Sequence, residues 1–356
     1  QRVVQVHVAG GDLQLDNLVE EIKYGESSPL VEQKKYNLLG RPILHKDQAG
    51  IREYLSYNIK GQNLKSSFRL RQEYKKEVDW NTEHGQELLE VDENGLSLLY
   101  ESESLFDAEG KLRLKKQSDG SILKYSNHMS GLLKSVAVMI PSESELFEDY
   151  VIEIKYNPKG QRVLIQYGNG TITTYNYEKE TFRLESVKTQ RSSDNLNKKF
   201  LQDLSYVYDP VGNITQIEDK SHKTVFHNQS KIDPLSRNTY DSLYRLTESS
   251  GRQHPAVAGL DQNDLTGFKK SRYLSYDSVS VNDSTALENY TEFYNYDLVG
   301  NIEKINHVVA SETSHCWTRI QTFAEMSNRI DSTRVGNDPD KETFFTYDEA
   351  GNMEKM

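Results

Sequence analysis

The sequence predicts an all-β protein in which short hairpins join edge to edge into one long curved sheet. Three observations carry that expectation. A turn motif, aromatic–Asp/Asn–x–x–Gly, returns along the whole chain. Rings are abundant, with 22 Tyr and 11 Phe, although the mean hydropathy is only −0.75. Such a surplus suits the pleated surface of strands and not a disordered polar chain. Before each motif the apolar residues lie two apart, which is the side-chain period of a strand.

Six copies match the core of the motif. They begin at Tyr36 (YNLLGRP), Tyr57 (YNIKGQN), Tyr156 (YNPKGQR), Tyr208 (YDPVGNI), Tyr296 (YDLVGNI) and Tyr347 (YDEAGNM). Looser copies begin at Phe106 (FDAEGKL), Tyr125 (YSNHMSGLL, its glycine two places late), Tyr177 (YEKETFRL) and Tyr240 (YDSLYRL, with Tyr244 in the glycine place). Each residue type has a reason to be there. Asp or Asn bonds the backbone two residues on, Pro158 and Pro210 preset φ, and Gly supplies a positive φ, so the motif marks a turn between strands. The residues expected to hold the architecture are therefore Tyr36, Gly40, Tyr57, Gly61, Tyr156, Gly160, Tyr208, Asp209, Gly212, Tyr240, Asp241, Tyr296, Asp297, Gly300, Tyr347, Asp348 and Gly351.

Spacing sets the unit. Twenty-one residues separate Tyr36 from Tyr57 and Tyr156 from Tyr177, room for two strands of about eight residues and their turns. Ahead of the turns, Ile154/Tyr156, Tyr175/Tyr177, Tyr206/Tyr208, Tyr294/Tyr296 and Phe345/Tyr347 share one face, which is expected to be buried. After the turns, Ile214/Ile217, Ile302/Ile305 and Met353/Met356 are three apart, which predicts a bulge or a switch of face. Hairpins of this kind cannot bury an aromatic face alone, so neighbours are expected to pair in the manner of a solenoid. The polar stretches 79–103, 141–149, 192–199 and 252–270 read as loops, with a short helix near 86–91. Residues 1–150 read as a divergent segment and 151–356 as a well-matched one within a single continuous architecture, and both ends read as cuts through a larger protein.

Composition excludes several functions. With 43 Lys and Arg against 54 Asp and Glu, the formal net charge is −11 and the lysines are dispersed, so no nucleic-acid surface is expected. No apolar run approaches the ~18 residues of a membrane helix. A single cysteine, Cys316, rules out an internal disulfide and a cysteine-based zinc site. The nine histidines include no HExxH, and the nearest pair, His222 and His227, flanks an apparent strand. No EF-hand loop is present for calcium, and no GxSxG elbow for a serine nucleophile. Cys316 adjoins His315, but neighbours in a strand face opposite sides, so His315 is badly placed to activate the thiol. The GNG at 168–170 reads as a turn between strands, not a phosphate loop. Among 54 acids chance pairs are inevitable, and the motif aspartates already have a task in turns. No catalytic residue, metal or cofactor is expected.

The repeat resembles the YD repeats of the Rhs family, whose members include the insecticidal toxin-complex B and C components. The stretches YGNGTITTYNYEKETFRLESVKTQR from Tyr167, LQDLSYVYDPVGNITQIEDKSHKTVFHNQ from Leu201, FYNYDLVGNI from Phe293 and FTYDEAGNM from Phe345 carry the resemblance, which runs over roughly residues 20–356. It implies a sheet that spirals into a hollow, cocoon-like shell around a variable C-terminal toxin. The wall would encapsulate the cargo and help deliver it without catalysing anything itself. The partners implied are the rest of the same shell, the enclosed cargo and a toxin-complex translocation subunit, and the place of action is secreted or cell-surface. The family's self-cleaving aspartates match no position here. The chain departs from the family in having only loose repeats around Phe106 and Tyr125 in its first half, and in carrying Asn37, Asn58 and Asn157 where Asp is usual. A second function stays open, that of a cell-surface adhesion or carbohydrate-binding module in which tyrosine rings stack on sugars.

Overall fold

The computed structural model describes residues 2–10, 15–73, 78–81, 89–141, 144–191, 200–255, 283, 285–336, 342–348 and 351–355. They fall into two units, Gln1–Gly170 and Thr171–Met356. The loop expected at 192–199, most of that at 252–270, and residues 86–88 of the expected helix lie outside the described residues. Leu89 and Val91 are described, and they form isolated β-bridges with Arg71 and Ser97 instead of a helix.

In the first unit the strands are β1 (Gln5–Gly10), β2 (Leu15–Tyr24), β3 (Pro42–Asp47), β4 (Gly50–Tyr57), β5 (Asn63–Leu70), β6 (Tyr100–Phe106), β7 (Leu112–Lys116), β8 (Ile122–Asn127), β9 (Leu133–Met139), β10 (Glu148–Tyr156) and β11 (Arg162–Tyr167). Each pairs antiparallel with the next. One helix, α1 (Leu30–Tyr36), lies between β2 and β3.

The second unit repeats the plan. Its sheet runs β12 (Thr171–Tyr177), β13 (Leu184–Arg191), β14 (Phe200–Tyr208) and β15 (Ile214–Asp219), again antiparallel throughout. A side hairpin, β16 (Val225–His227) with β17 (Ser230–Ile232), interrupts the order. The sheet then resumes with β18 (Leu235–Tyr240), β19 (Leu246–Gln253), β20 (Glu288–Tyr296), β21 (Ile302–Val309), β22 (Trp317–Phe323), β23 (Ile330–Val335) and β24 (Thr343–Phe344). A last hairpin joins β25 (Thr346–Tyr347) to β26 (Met353–Lys355). No described pairing closes either sheet on itself.

The three-residue spacing after the turns is a bulge. Tyr206 faces Ile217 and Tyr208 faces Ile214, which leaves Thr215 as the extra residue and returns both isoleucines to the tyrosine face. Tyr294/Ile305 and Tyr296/Ile302 repeat this. A register shift falls immediately before the motif aromatic at Tyr57, Phe106, Tyr156, Tyr177, Tyr240 and Tyr347 as well.

The aromatic face was expected to be buried, and it is mostly half-buried. Tyr57 is 9% exposed, but Tyr156, Tyr208, Tyr240, Tyr296 and Tyr347 are only partly covered, and β3, β15 and β19 are half-buried along their whole length. Deep burial is local instead: Leu18, Val78 and Trp80 form a cluster against which Ile51 packs, and Ile232 of the β16–β17 hairpin, Ala286 and Val309 are almost wholly enclosed.

Candidate functional site

The recurring feature is the turn itself and the way it grips the preceding one. In the β14–β15 turn the Asp209 amide donates to the Asn213 carbonyl at 2.9 Å and the Gly212 amide donates to the Asp209 carbonyl at 3.2 Å. Asp209 Oδ1 accepts the Gly212 and Asn213 amides at 2.7 and 2.8 Å, while Oδ2 accepts Asn213 Nδ2 at 2.7 Å. Asp297 does the same with Val299, Gly300 and Asn301, and Asp348 with Asn352. Where the motif carries Asn, the partner changes. Asn58 and Asn157 accept backbone amides through Oδ1 and donate Nδ2 to Gln62 and Gln161. The residue after the glycine is thus matched to its turn: Asn for a carboxylate, Gln for an amide, and Arg245 for Asp241 at 2.7 Å. Sequence reasoning read that position only as polar.

Three copies differ from the expected form. Tyr36 ends helix α1, not a strand, and Asn37 caps the helix with φ 61°. The segment before it, LVEQKK, has helix-forming residues where the other copies alternate, so the turn at Asn37 to Gly40 becomes a helix C-terminus. In the copy read from Tyr125, the aromatic place belongs to Asn127 and the Asp place to His128, whose carbonyl accepts the Gly131 amide at 2.9 Å. That removes the apparent displacement of the glycine. The Tyr177 turn is one residue longer, with Phe182 at φ 60° in the glycine role. Three further turns went unread for want of a tyrosine: Asp92, capped by the Asn94 and Leu96 amides, the turn closed by Gln117 and Ser121, and the turn after Phe323, closed by Ala324 and Arg329.

Six of the motif tyrosines reach back to the previous turn. The hydroxyls of Tyr57, Tyr156, Tyr208, Tyr240, Tyr296 and Tyr347 donate to the carbonyls of Pro42, Leu133, Leu184, Ile214, Leu246 and Ile330 at 2.6 to 2.8 Å. Each acceptor is the first residue of the strand leaving the preceding turn. The residue before that acceptor is often arginine, and its guanidinium lies over the same ring. Arg41 covers Tyr57, Arg183 covers Tyr208, Arg245 covers Tyr296 and Arg329 covers Tyr347, at 4.8 to 5.7 Å. Arg183 also donates to the carbonyls of Asp209 and Pro210 at 2.7 and 2.9 Å. The signal for this was present as Arg-Pro, Arg-Leu, Arg-Leu and Arg-Ile five residues past the preceding motif's start or a place later, but it had no meaning without the fold.

Burial pushes the Tyr57 hydroxyl up to about 12, helped by nearby Tyr54, and raises Tyr208 and Tyr296 as well. These donors keep their protons at any ordinary pH. The aspartates move the other way. At Asp209 and Asp297 burial opposes the charge, but the Asn213 or Asn301 side chain and the backbone amides outweigh it and hold both below the usual carboxylate range. At Asp241 the Arg245 amide leads, and its guanidinium adds to it. A carboxyl depressed in the folded state stabilises it above the unfolded value of about 3.9 and stops doing so as pH falls through the folded value. Strand content by circular dichroism is therefore expected to hold down to about pH 4 and to decline below it. A variant carrying Asp209→Asn, Asp241→Asn and Asp297→Asn should show a weaker acid limb, and an unchanged limb would exclude these turns as its source.

His315 ends a short 3-10 turn, Thr313–His315, and Cys316 caps it, so the two are not neighbours in a strand as expected; His315 Nδ1 bonds Glu288 at 2.9 Å, and Cys316 Sγ accepts the Val309 amide at 3.2 Å. His222 lies 3.8 Å from Asp219. Among the described residues no three His, Cys, Asp or Glu gather to hold a metal, and no helix is long and apolar enough to cross a membrane.

The fold defines a class: an antiparallel repeat protein in which tyrosine hydroxyls, four of them under a stacked arginine, tie hairpin turns to the ones before. No family model matches the chain. It is 29% identical to toxin subunit YenC1 of Yersinia entomophaga over 96% of its length, and 31% identical to toxin subunit YenC2 of the same organism over 92%. It spans 33% of each of those proteins. Among solved structures it matches the TcdB2–TccC3 complex with a TM-score of 0.78 and 28% identity, covering 99% of this chain and 17% of that one. The Photorhabdus luminescens Tc holotoxin pore with a TccC3 variant gives 0.77 and 28%, over 99% of this chain and 16% of that one. The chain is homologous to these toxin-complex subunits and shares the β-sheet architecture of their shells.

Proposed function

We propose that this chain is a length of wall in a secreted toxin-complex shell that encloses a toxin cargo and helps deliver it. In this reading both segments, 1–150 and 151–356, belong to one continuous wall that catalyses nothing, and the motif residues serve the wall. The partners are the rest of the shell, the enclosed cargo and a translocation subunit. The observation that carries the reading is homology to toxin subunits over nearly the whole chain, joined to a repeat in which six tyrosine hydroxyls tie a turn to the one before. Sheets extended in this way leave edges and half-buried faces that a closed shell would remove from water.

The test is protease digestion of the complete natural protein together with its C-terminal region. The cargo is expected to survive at least tenfold longer than the same segment produced alone. Cleavage at equal rates would overturn the container reading, and selective binding of the wall to a glycan array would then favour adhesion.

A further inference from the structure

In the second unit the motif turns stand along one edge of the sheet, and the other ends of β13, β14, β15, β19 and β20 lie along the opposite edge. At these ends opens a cleft of about 970 Å³. Arg191 at the end of β13, Lys223 ahead of the β16–β17 hairpin and Arg252 near the end of β19 line it, and no carboxylate does so among the described residues. None of these three side chains is bonded to a carboxylate among the described residues. The described acids beside the cleft are already engaged. Asp219 accepts the Asp203 and Ser221 amides at 3.1 and 3.0 Å and lies 3.8 Å from His222, another lining residue. Asp233 bonds Thr224 and Lys231 at 2.6 and 2.8 Å, and Asp283 accepts the Thr285 amide and hydroxyl at 3.0 and 2.7 Å. Glu288 is 4% exposed and holds Gln253 and His315. Phe200, Val225 and Leu287 add apolar surface to the same cleft.

We propose that this cleft binds a small multivalent oxyanion carried on an apolar or ring-bearing body, the chemistry shared by a sulfated sugar and a nucleotide phosphate. The inference goes beyond the shell-wall reading and does not rest on it. Acids outnumber bases by 54 to 43 in this chain, so three unpaired cations around one cleft are a local reversal of its charge. Two of them are arginines, whose planar forks hold an oxyanion through paired hydrogen bonds, and the lysine adds a point charge. Salt screens charges over about 8 Å, so a ligand the size of the cleft feels the cations beside it. A long polyanion would run on over a chain of net charge −11, which disfavours nucleic acid as the occupant. The volume is that of small-molecule sites, which span about 300 to 1,000 Å³ and are mostly apolar with a few placed polar groups.

Calorimetric titration of the complete natural protein with a trisulfated heparin disaccharide, with ATP, with inorganic pyrophosphate and with a short DNA duplex reads the ligand. Saturable binding of the disaccharide, of ATP or of both is expected, weakening as salt rises. It should fall about tenfold or more in a variant carrying Arg191→Gln, Lys223→Gln and Arg252→Gln. Binding of the disaccharide alone assigns a sugar source, and binding of ATP alone a nucleotide source. Arg191 and Lys223 are exposed, so the variant with only those two substitutions should keep its strand content and still lose affinity, which separates a lost site from a lost fold. No binding up to about 1 mM, binding unchanged in the variants, pyrophosphate bound as tightly as the larger anions, or tighter binding of the duplex would overturn the proposal. Protease resistance of the cargo is independent of every one of these outcomes, so the cleft and the container reading fail separately.

Discussion

Trp80→Ala is expected to cost about 3 to 5 kcal/mol and to unfold the start of the first unit before anything else. The indole is 3% exposed and packs with Leu18 and Val78, which are equally enclosed. Its Nε1 donates to the Asp47 carbonyl at 3.2 Å, and its amide donates to the Leu18 carbonyl at 2.9 Å. Gln48 clamps the same segment, donating to the carbonyls of Val19 and Val78 and accepting the Val78 amide at 2.9 Å. A sheet that is half-buried elsewhere has few places to recover so large a loss. Hydrogen exchange should show β2, β3 and β4 losing protection while β20 to β23 keep theirs. Trp317 remains as the fluorescent reporter of the second unit, and its denaturation midpoint should not move. A loss below about 1 kcal/mol would show that the cluster does not anchor the unit.

Gly212→Val is expected to destabilise the second unit by about 2 to 3 kcal/mol, through two separable effects. Gly212 has φ +115°, a region closed to a β-branched residue. A Cβ there would also lie 3.3 Å from Nη2 of Arg183, the guanidinium that covers Tyr208 and bonds the Asp209 and Pro210 carbonyls. Gly300 supplies the control, since its φ is +103° but a Cβ would meet nothing within 4 Å. Gly300→Val should therefore show the backbone strain alone and a smaller loss. In an Arg183→Ala background the two substitutions should converge. Equal losses in the native background would mean that the arginine merely moves aside, and no loss at Gly212 would contradict the turn geometry.

Legibility followed distance along the chain. The turns at Asp209 and Asp297 could be read because all the groups that close them lie within five residues, and Asp, Gly and Asn act there through their own local geometry. The copy at Tyr36 misled because the same letters, YNLLG, close a helix as well as a hairpin, and only the residues before them decide which. The turn at Asp92 was passed over because its motif lacks the tyrosine, although DENG carries the full turn chemistry. The tyrosine face was expected to be buried from its alternation alone, and alternation fixes which side a ring takes but not how deeply it is covered.

By itself the sequence determined a chain of antiparallel hairpins and the position of most turns, and it left a bulge or a switch of face open after three of them, which the strand register decided as a bulge. These are properties of short segments, set by side chains that bond their own backbone and by a two-residue alternation. Only the tertiary structure decided where each tyrosine hydroxyl and arginine would go. Tyr296 reaches Leu246 across 50 residues of chain and Arg245 reaches Asp297 across 52, while Tyr57 reaches Pro42 across 15. No local pattern encodes so variable a separation. What is constant is the pairing of successive strands, which brings each turn beside the last whatever the length of chain between them.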